Sequence, residues 1–135
     1  MAKYSSFEEM QVYQKALKFA VNAYLLANKN DSISKNFGLK DQLQRGALSI
    51  SNNIAEGFER ETIKEMIRFL YIAKGSAGEC RNMFTFFNEM SYLSDEECKI
   101  YKSELFEISG QLGNYIKYLK NLEKQNKLSQ KTENS

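Results

Sequence analysis

Apolar residues recur along most of this chain in steps of three and four, the spacing that puts them on one face of a helix. The cleanest run is Cys98, Tyr101, Leu105, Ile108, Leu112, Tyr115, Leu119 and Leu122. A second run is Ile63, Met66, Leu70, Ala73, Ala77, Cys80, Phe84 and Phe87, and a third is Leu43, Ala47, Ile50, Ile54 and Gly57. The alternation of three and four is a heptad seam, which favours helices crossing at small angles. The N-terminal segment carries two such rows. One is Met10, Tyr13, Leu17, Ala20, Tyr24 and Ala27; beside it run Val12, Ala16, Phe19, Ala23 and Leu26. An arc that wide exceeds what one bundle interior needs. The first row is therefore expected in the core, and the second either at a subunit interface or over a loop.

Local signals bound these helices. Ser5 and Ser6 precede Glu8 and Glu9 by three residues, Thr62 precedes Glu65, and Ser94 precedes Glu97, each with the spacing of a capping box. The polar stretch from Asn28 to Phe37 reads as a loop. Helices are predicted at about 6–28, 39–59, 63–90 and 95–124, joined by short connections. The fold class is all-α: one up-down-up-down, left-handed four-helix bundle over residues 1–124. Residues 125–135 turn to Lys, Gln, Ser, Thr and Asn and read as a frayed or disordered tail.

Composition narrows the chemistry. The chain has 135 residues, one domain's worth, and no Pro to interrupt long helices. It has no His, and its two cysteines, Cys80 and Cys98, both fall on core positions, so neither a metal site nor a disulfide is expected and no cofactor is implied. No apolar run is long enough for a membrane helix, and the first residues lack a signal core; a cytoplasmic location without membrane contact is the expectation. A net charge of +2 is too small to demand a nucleic-acid partner.

The candidate chemistry gathers between Gln42 and Glu79. A polar row, Gln42, Arg45, Ser49, Asn53, Glu56 and Arg60, runs along the second helix at helical spacing. If the chain folds back near residue 61, Gly46 and Ala47 approach Ser76 and Ala77, and Ser49 approaches Lys74. Gly46, Gly57, Gly75 and Gly78 sit inside helices, where Gly costs about 1 kcal/mol relative to Ala. Close helix contact is one reason for them; room for a ligand or a nucleic-acid backbone is the other. Glu56 and Glu79 are the carboxylates set among small neighbours, but Arg45, Arg60 and Lys74 share their rows, so ion pairing is the simpler fate. Arg45–Glu79 and Lys74–Glu56, or Lys74–Ser49, are the expected pairs between helices. Lys74-Gly75-Ser76 is not a phosphate loop, since it lies inside a helical pattern without a preceding strand. Arg45, Arg60, Lys64, Arg68 and Arg81 lie off the core rows, with Lys74 at the edge, and could give a phosphate backbone affinity without sequence specificity.

Four segments then follow one another at characteristic intervals: Val12-Tyr13-Gln14-Lys15-Ala16, Gly38 to Arg45, Ser49 to Gly57 (SISNNIAEG), and Ile72 to Glu79 (IAKGSAGE). Together they resemble the four-helix-bundle proteins encoded in intervening sequences of bacterial 23S rRNA genes, often labelled S23 ribosomal proteins. That family is similar to the accessory protein of diversity-generating retroelements, a pentameric barrel of four-helix bundles that binds nucleic acid and a reverse transcriptase. The resemblance implies a homo-oligomer, a pentamer in the first instance, and no enzymatic activity. It covers the chain to about Leu122. Two departures stand out: no Pro in the loop before the second helix, and Gly46 where Ala is common. The expected function is non-enzymatic binding of structured RNA through Gln42, Arg45, Ser49, Asn53, Glu56, Arg60, Lys64, Arg68, Lys74, Ser76 and Glu79, with Val12, Ala16, Phe19, Ala23 and Leu26 at the oligomer interface. A structural or protein-docking scaffold is the alternative.

Overall fold

Helices begin where the sequence offers a cap. In the computed structural model, which describes residues 4–133, the elements are a 3-10 turn at Phe7–Glu9 and helices α1 (Gln11–Lys29), α2 (Asp31–Ser34), α3 (Phe37–Phe58), α4 (Ile63–Glu89) and α5 (Asp95–Glu133). Ser94 and Glu97 form the reciprocal box at the start of α5: each backbone amide donates to the other's side chain, at 3.1 Å both ways. Thr62 accepts from the Glu65 amide at 3.1 Å and starts α4. Asn36 accepts from the Leu39 amide at 3.1 Å and starts α3. These caps satisfy amides that have no partner within the helix.

The four long helices pack in chain order, α1 on α3, α3 on α4 and α4 on α5, and α1 against α5 closes the bundle. Most of the expected seam positions of α3, α4 and α5 are buried, down to Gly57, Phe84 and Leu119; Ile63, Tyr101, Tyr115 and Leu122 are half-buried, and Ile67, Met83 and Ile116 join the core. Phe84 anchors the upper half. It stacks on Tyr101 with centroids 4.7 Å apart and meets Phe19 and Phe87 edge-on, at 6.2 and 5.6 Å. No helix of the described residues is long and apolar enough to cross a membrane.

Four expectations are corrected. First, α1 begins at Gln11, not at Ser6; Ser6 accepts from the Glu8 amide and caps the 3-10 turn instead. Second, the inward face of α1 combines the two rows: Met10, Ala20 and Ala27 of the expected core row are buried, but so is most of the row beside it. Val12, Ala16, Phe19 and Ala23 are buried in the protomer's own core, with Ala20 and Ala27 beside them, while Leu17 and Tyr24 are 40% and 41% exposed. The small residues of that row let α1 lie close to its neighbours, and Phe19 fills the space against Phe84. Val12, Ala16, Phe19 and Ala23 are thus unavailable as an oligomer interface, and Leu26 is half-buried. Third, the loop after α1 contains the single helical turn α2, capped by Asn30 and pinned by the fully buried Ile33. Fourth, residues 125–133 continue α5. Lys, Gln, Glu and Leu are good helix formers, no Gly or Pro interrupts them, and Lys127 pairs with Glu123 one turn back at 3.2 Å. The last two residues of the expected tail lie outside the described residues.

Candidate functional site

The polar row of α3 is held mostly by itself and by α4. Ser49 and Ser76 share a hydrogen bond between their hydroxyls, 2.9 Å long, across the α3–α4 seam. Asn53 donates to both the Ser49 carbonyl and its hydroxyl, at 2.8 and 3.0 Å. Three of the expected site residues therefore form one network at a helix contact, where Ser76 is buried and Ser49 and Asn53 half-buried. Their polar atoms are largely spent on one another. Ser51, buried outside the row, returns its hydroxyl to the Leu48 carbonyl.

The expected ion pairs between helices do not form. Arg45 pairs with Asp41 one turn back on α3, and Arg60, in the turn after α3, with Glu56 four residues back, at 3.0 and 2.6 Å. Neighbours four residues apart meet without any tertiary alignment, so these pairs need no particular register between helices. Register explains the rest. Ser49 faces Ser76 rather than Lys74, and a Cβ at Gly46 would lie 3.4 Å from the Cys80 sulfur rather than near Ser76. The fold-back is displaced by about half a helical turn from one centred on residue 61, which leaves Lys74 and Glu79 exposed on the outside of α4. Gln42, Lys64, Lys74 and Glu79 make no hydrogen bond or ion pair among the described residues. Arg68 rests near the edge of the Phe69 ring, 5.9 Å from its centroid. Arg60 lies over the same ring at 4.7 Å, and its Nε has no hydrogen-bond partner there.

Close packing accounts for only part of the glycine pattern. At Gly57 a Cβ would lie 3.0 Å from the Phe69 Cβ and 3.2 Å from the Met66 carbonyl oxygen, so α3 and α4 touch backbone to backbone there. At Gly75 it would meet nothing within 4 Å, and at Gly78 only the end of Arg81.

The outer face of α4 is different from the α3 row. Lys64, Glu65, Ile67, Arg68, Tyr71 and Ile72 line an open hollow of about 700 Å³, mostly apolar in its walls, with Lys64 and Arg68 not ion-paired at its rim. Tyr71 is 46% exposed and receives a hydrogen bond from Lys120 of α5. Tyr71 and Lys120 were not among the expected site residues. Their signal was an aromatic standing off the α4 seam and lysines at 117 and 120 on the outer side of α5.

A second cleft, about 210 Å³, lies between α1 and α5 and is lined by Lys15, Lys18, Phe19, Glu104, Glu107 and Ile108. Lys15 and Glu107 are ion-paired within it. Burial pushes the Glu104 carboxyl above its ordinary range, with Lys18 opposing and Glu107 adding to the rise. Glu56 and Glu79, the expected carboxylate pair, lie on different helices, both exposed, with Glu56 held by Arg60. Among the described residues no cluster of His, Cys, Asp and Glu is arranged to hold a metal ion. Cys80 and Cys98 are free, buried thiols. Burial, with Glu79 nearby, pushes the Cys80 thiol up to about 12.

Residues 8–114 match the family model of the 23S rRNA-intervening sequence protein. The chain belongs to that family. The match covers α1 to α4 and about the first half of α5. Among solved structures, the chain is similar to a protein of unknown function from the S23 ribosomal protein family of Bacteroides thetaiotaomicron, with 28% identity, a TM-score of 0.71, and coverage of 78% of this chain and 95% of that one. No curated protein matches the chain. The family and the bundle are thereby established together, since a TM-score of that size over most of both chains reflects the same helix arrangement.

Proposed function

We propose that this member of the intervening-sequence family acts by binding RNA, through cations on the outer face of α4, rather than by catalysis. One observation carries the reading. Arg45 and Arg60 are each paired with a carboxylate four residues back, whereas Lys64, Arg68 and Lys74 on α4 make no ion pair among the described residues, and Lys64 and Arg68 share a hollow with the exposed Tyr71 and Ile72. Uncompensated cations beside an exposed aromatic suit a phosphate backbone with accessible bases. The family's name, which ties it to 23S rRNA, supports rRNA as the first ligand to test. A homo-oligomer would repeat the patch and raise its effective affinity.

A second reading has its own observation. Leu17, Val21, Tyr24 and Leu25 form an exposed apolar strip on α1 at helical spacing, which suits a protein surface better than a nucleic acid. It replaces the buried row as the place where a second copy or another protein would dock.

The test is binding of the purified chain to rRNA and to an unrelated RNA over a salt series, with the mass measured by light scattering in the same samples. Salt-steep binding that weakens in Lys64→Gln/Arg68→Gln, and not in Arg45→Gln, is expected. No binding at low salt by a folded chain would remove the RNA reading and leave the α1 strip as the functional surface.

A further inference from the structure

We propose that the seam between α4 and α5 is a track for a single-stranded segment of RNA, with phosphates on Lys74, Lys117, Lys120 and Arg81 and bases on Tyr71 and Phe106. This rests on the RNA reading above and says where and in what form the strand is held.

Two contacts fix how the antiparallel helices align. At one end, the Lys120 Nζ donates to the Tyr71 hydroxyl at 2.6 Å and lies 5.0 Å from the ring centroid. At the other, the Arg81 Nη1 donates to the Ser109 hydroxyl at 3.0 Å while its guanidinium carbon sits 4.7 Å over Phe106. Lys74 stands one turn on from Tyr71, and Lys117 one turn back from Lys120. Both are exposed, and this alignment puts them opposite each other along the seam.

Four cations thus lie along one seam, and none has an ion-pair partner among the described residues. Between Tyr71 and Arg81 the one carboxylate on α4 is Glu79. It follows Gly78 by one residue and so points roughly 100° around the helix from it, toward the α3 side. Between Phe106 and Lys120 the one carboxylate on α5 is Glu107, which is turned to α1 and paired with Lys15. A stable protein surface ordinarily intersperses its charges; like charges facing each other across a helix seam are unfavourable unless an anion lies between them.

The aromatic rings give the seam its second property. Tyr71 is 46% and Phe106 62% exposed, each with a cation against its ring. Neither belongs to the core. At about 1.5 Å per residue they stand roughly 20 Å apart along the seam. Cation rows with spaced aromatics are how single strands are held: the backbone follows the charge and unpaired bases stack on the rings. In a duplex the base faces are already stacked, so it would use the cations alone. The glycines are consistent with this. A Cβ at Gly110 or Gly113 would meet nothing within 4 Å, so the floor between the cations has no side chain to hold the strand off.

The experiment is fluorescence anisotropy with the full chain, using a labelled 12-nucleotide unstructured RNA and a duplex of the same length, over a salt series. Helix content by circular dichroism confirms that each variant is folded, which the exposed positions favour. Lys74→Gln/Lys117→Gln is expected to weaken single-strand binding at least tenfold. It should also lower the slope of log affinity on log salt by about 1.4, at ~0.7 per lost phosphate contact on a single strand. Phe106→Leu should weaken the single strand about fivefold or more and leave the duplex unchanged. Gly113→Met, which adds bulk without charge, should weaken the single strand, and Arg45→Gln should change neither. Wild-type binding to RNA with undiminished binding by the seam variants would overturn the track and leave the RNA reading standing. No RNA binding by the wild type would overturn both. A change of mass in Gly113→Met with unchanged RNA affinity would make the seam an interface between copies and overturn the track. Equal loss for single strand and duplex on Lys74→Gln/Lys117→Gln, with no effect of Phe106→Leu, would reduce it to a charge patch and overturn it as well.

Discussion

Replacing Gly57 and Gly75 by Ala should move stability in opposite directions. Both residues lie inside helices, and in an open helix position Ala is worth about 1 kcal/mol over Gly. At Gly75 nothing lies within 4 Å of the new methyl group, so most of that gain should be realised. At Gly57 the methyl group would come to 3.0 Å from the Phe69 Cβ and 3.2 Å from the Met66 carbonyl oxygen. Neither atom can swing aside, because one is fixed to the backbone and the other belongs to it. The helices must part or bend, and overpacking of this kind costs roughly 1–3 kcal/mol. Gly57 is also the next-to-last residue of α3, where the gain in helix propensity is smallest. The net expectation is a loss of about 1 kcal/mol for Gly57→Ala and a gain of nearly that for Gly75→Ala. In a chain of this size each is a shift of about 4 °C in Tm, downward for the first and upward for the second. Thermal and urea unfolding followed by circular dichroism at 222 nm would read both. If Gly57→Ala were as stable as the parent, α3 and α4 would not be held at this separation, and the reasoning from backbone contact would fail. If Gly75→Ala were destabilised, position 75 would be covered by something, most simply a second copy.

Three more expectations follow from the same contacts. Ser94→Ala removes one half of the reciprocal cap of α5 and should cost about 1 kcal/mol in urea unfolding, while Ser5→Ala, outside any long helix, should cost little. A double-mutant cycle should give no coupling for Arg45 with Glu79 and about 0.3–0.5 kcal/mol for Arg45 with Asp41, as befits an exposed pair one turn apart. Alkaline stability should fall between about pH 9 and pH 12. Burial raises the Cys80 thiol from 9.0 to about 12, and burial, helped by Tyr4 and Tyr118, raises the Tyr115 phenol from 10.0 to about 12. Folding therefore keeps protons that the unfolded chain releases, so the stability present below pH 9 is lost as the pH approaches the folded-state values. Urea midpoints across that range would show a decline, and Cys80→Ala should flatten part of it.

Much of this protein is written in its apolar spacing. Burial follows the helical period directly, so the seam of α3 could be named residue by residue and those of α4 and α5 for the most part, and the caps at Thr62 and Ser94 placed the starts of α4 and α5. The family was legible for a similar reason, since its short segments combine small and polar residues at fixed intervals. Tertiary structure alone decided what periodicity leaves free. On α1 two apolar rows lie side by side, and spacing cannot choose the rotation of a helix whose stripes both qualify. Packing chose a face that takes Val12, Ala16, Phe19 and Ala23 from one row and Met10, Ala20 and Ala27 from the other, because small side chains and one well-placed ring fit the core better than Leu17 and Tyr24. The α3–α4 register set the pairing of the polar groups. A displacement of half a turn joined Ser49 to Ser76 and turned Lys74 outward, while Arg45 and Arg60 found carboxylates four residues back in sequence, where no distant segment has to be brought near. The cation row along the α4–α5 seam was illegible for the same reason: Lys74 and Lys117 are 43 residues apart in sequence, and only the alignment of two antiparallel helices makes them neighbours.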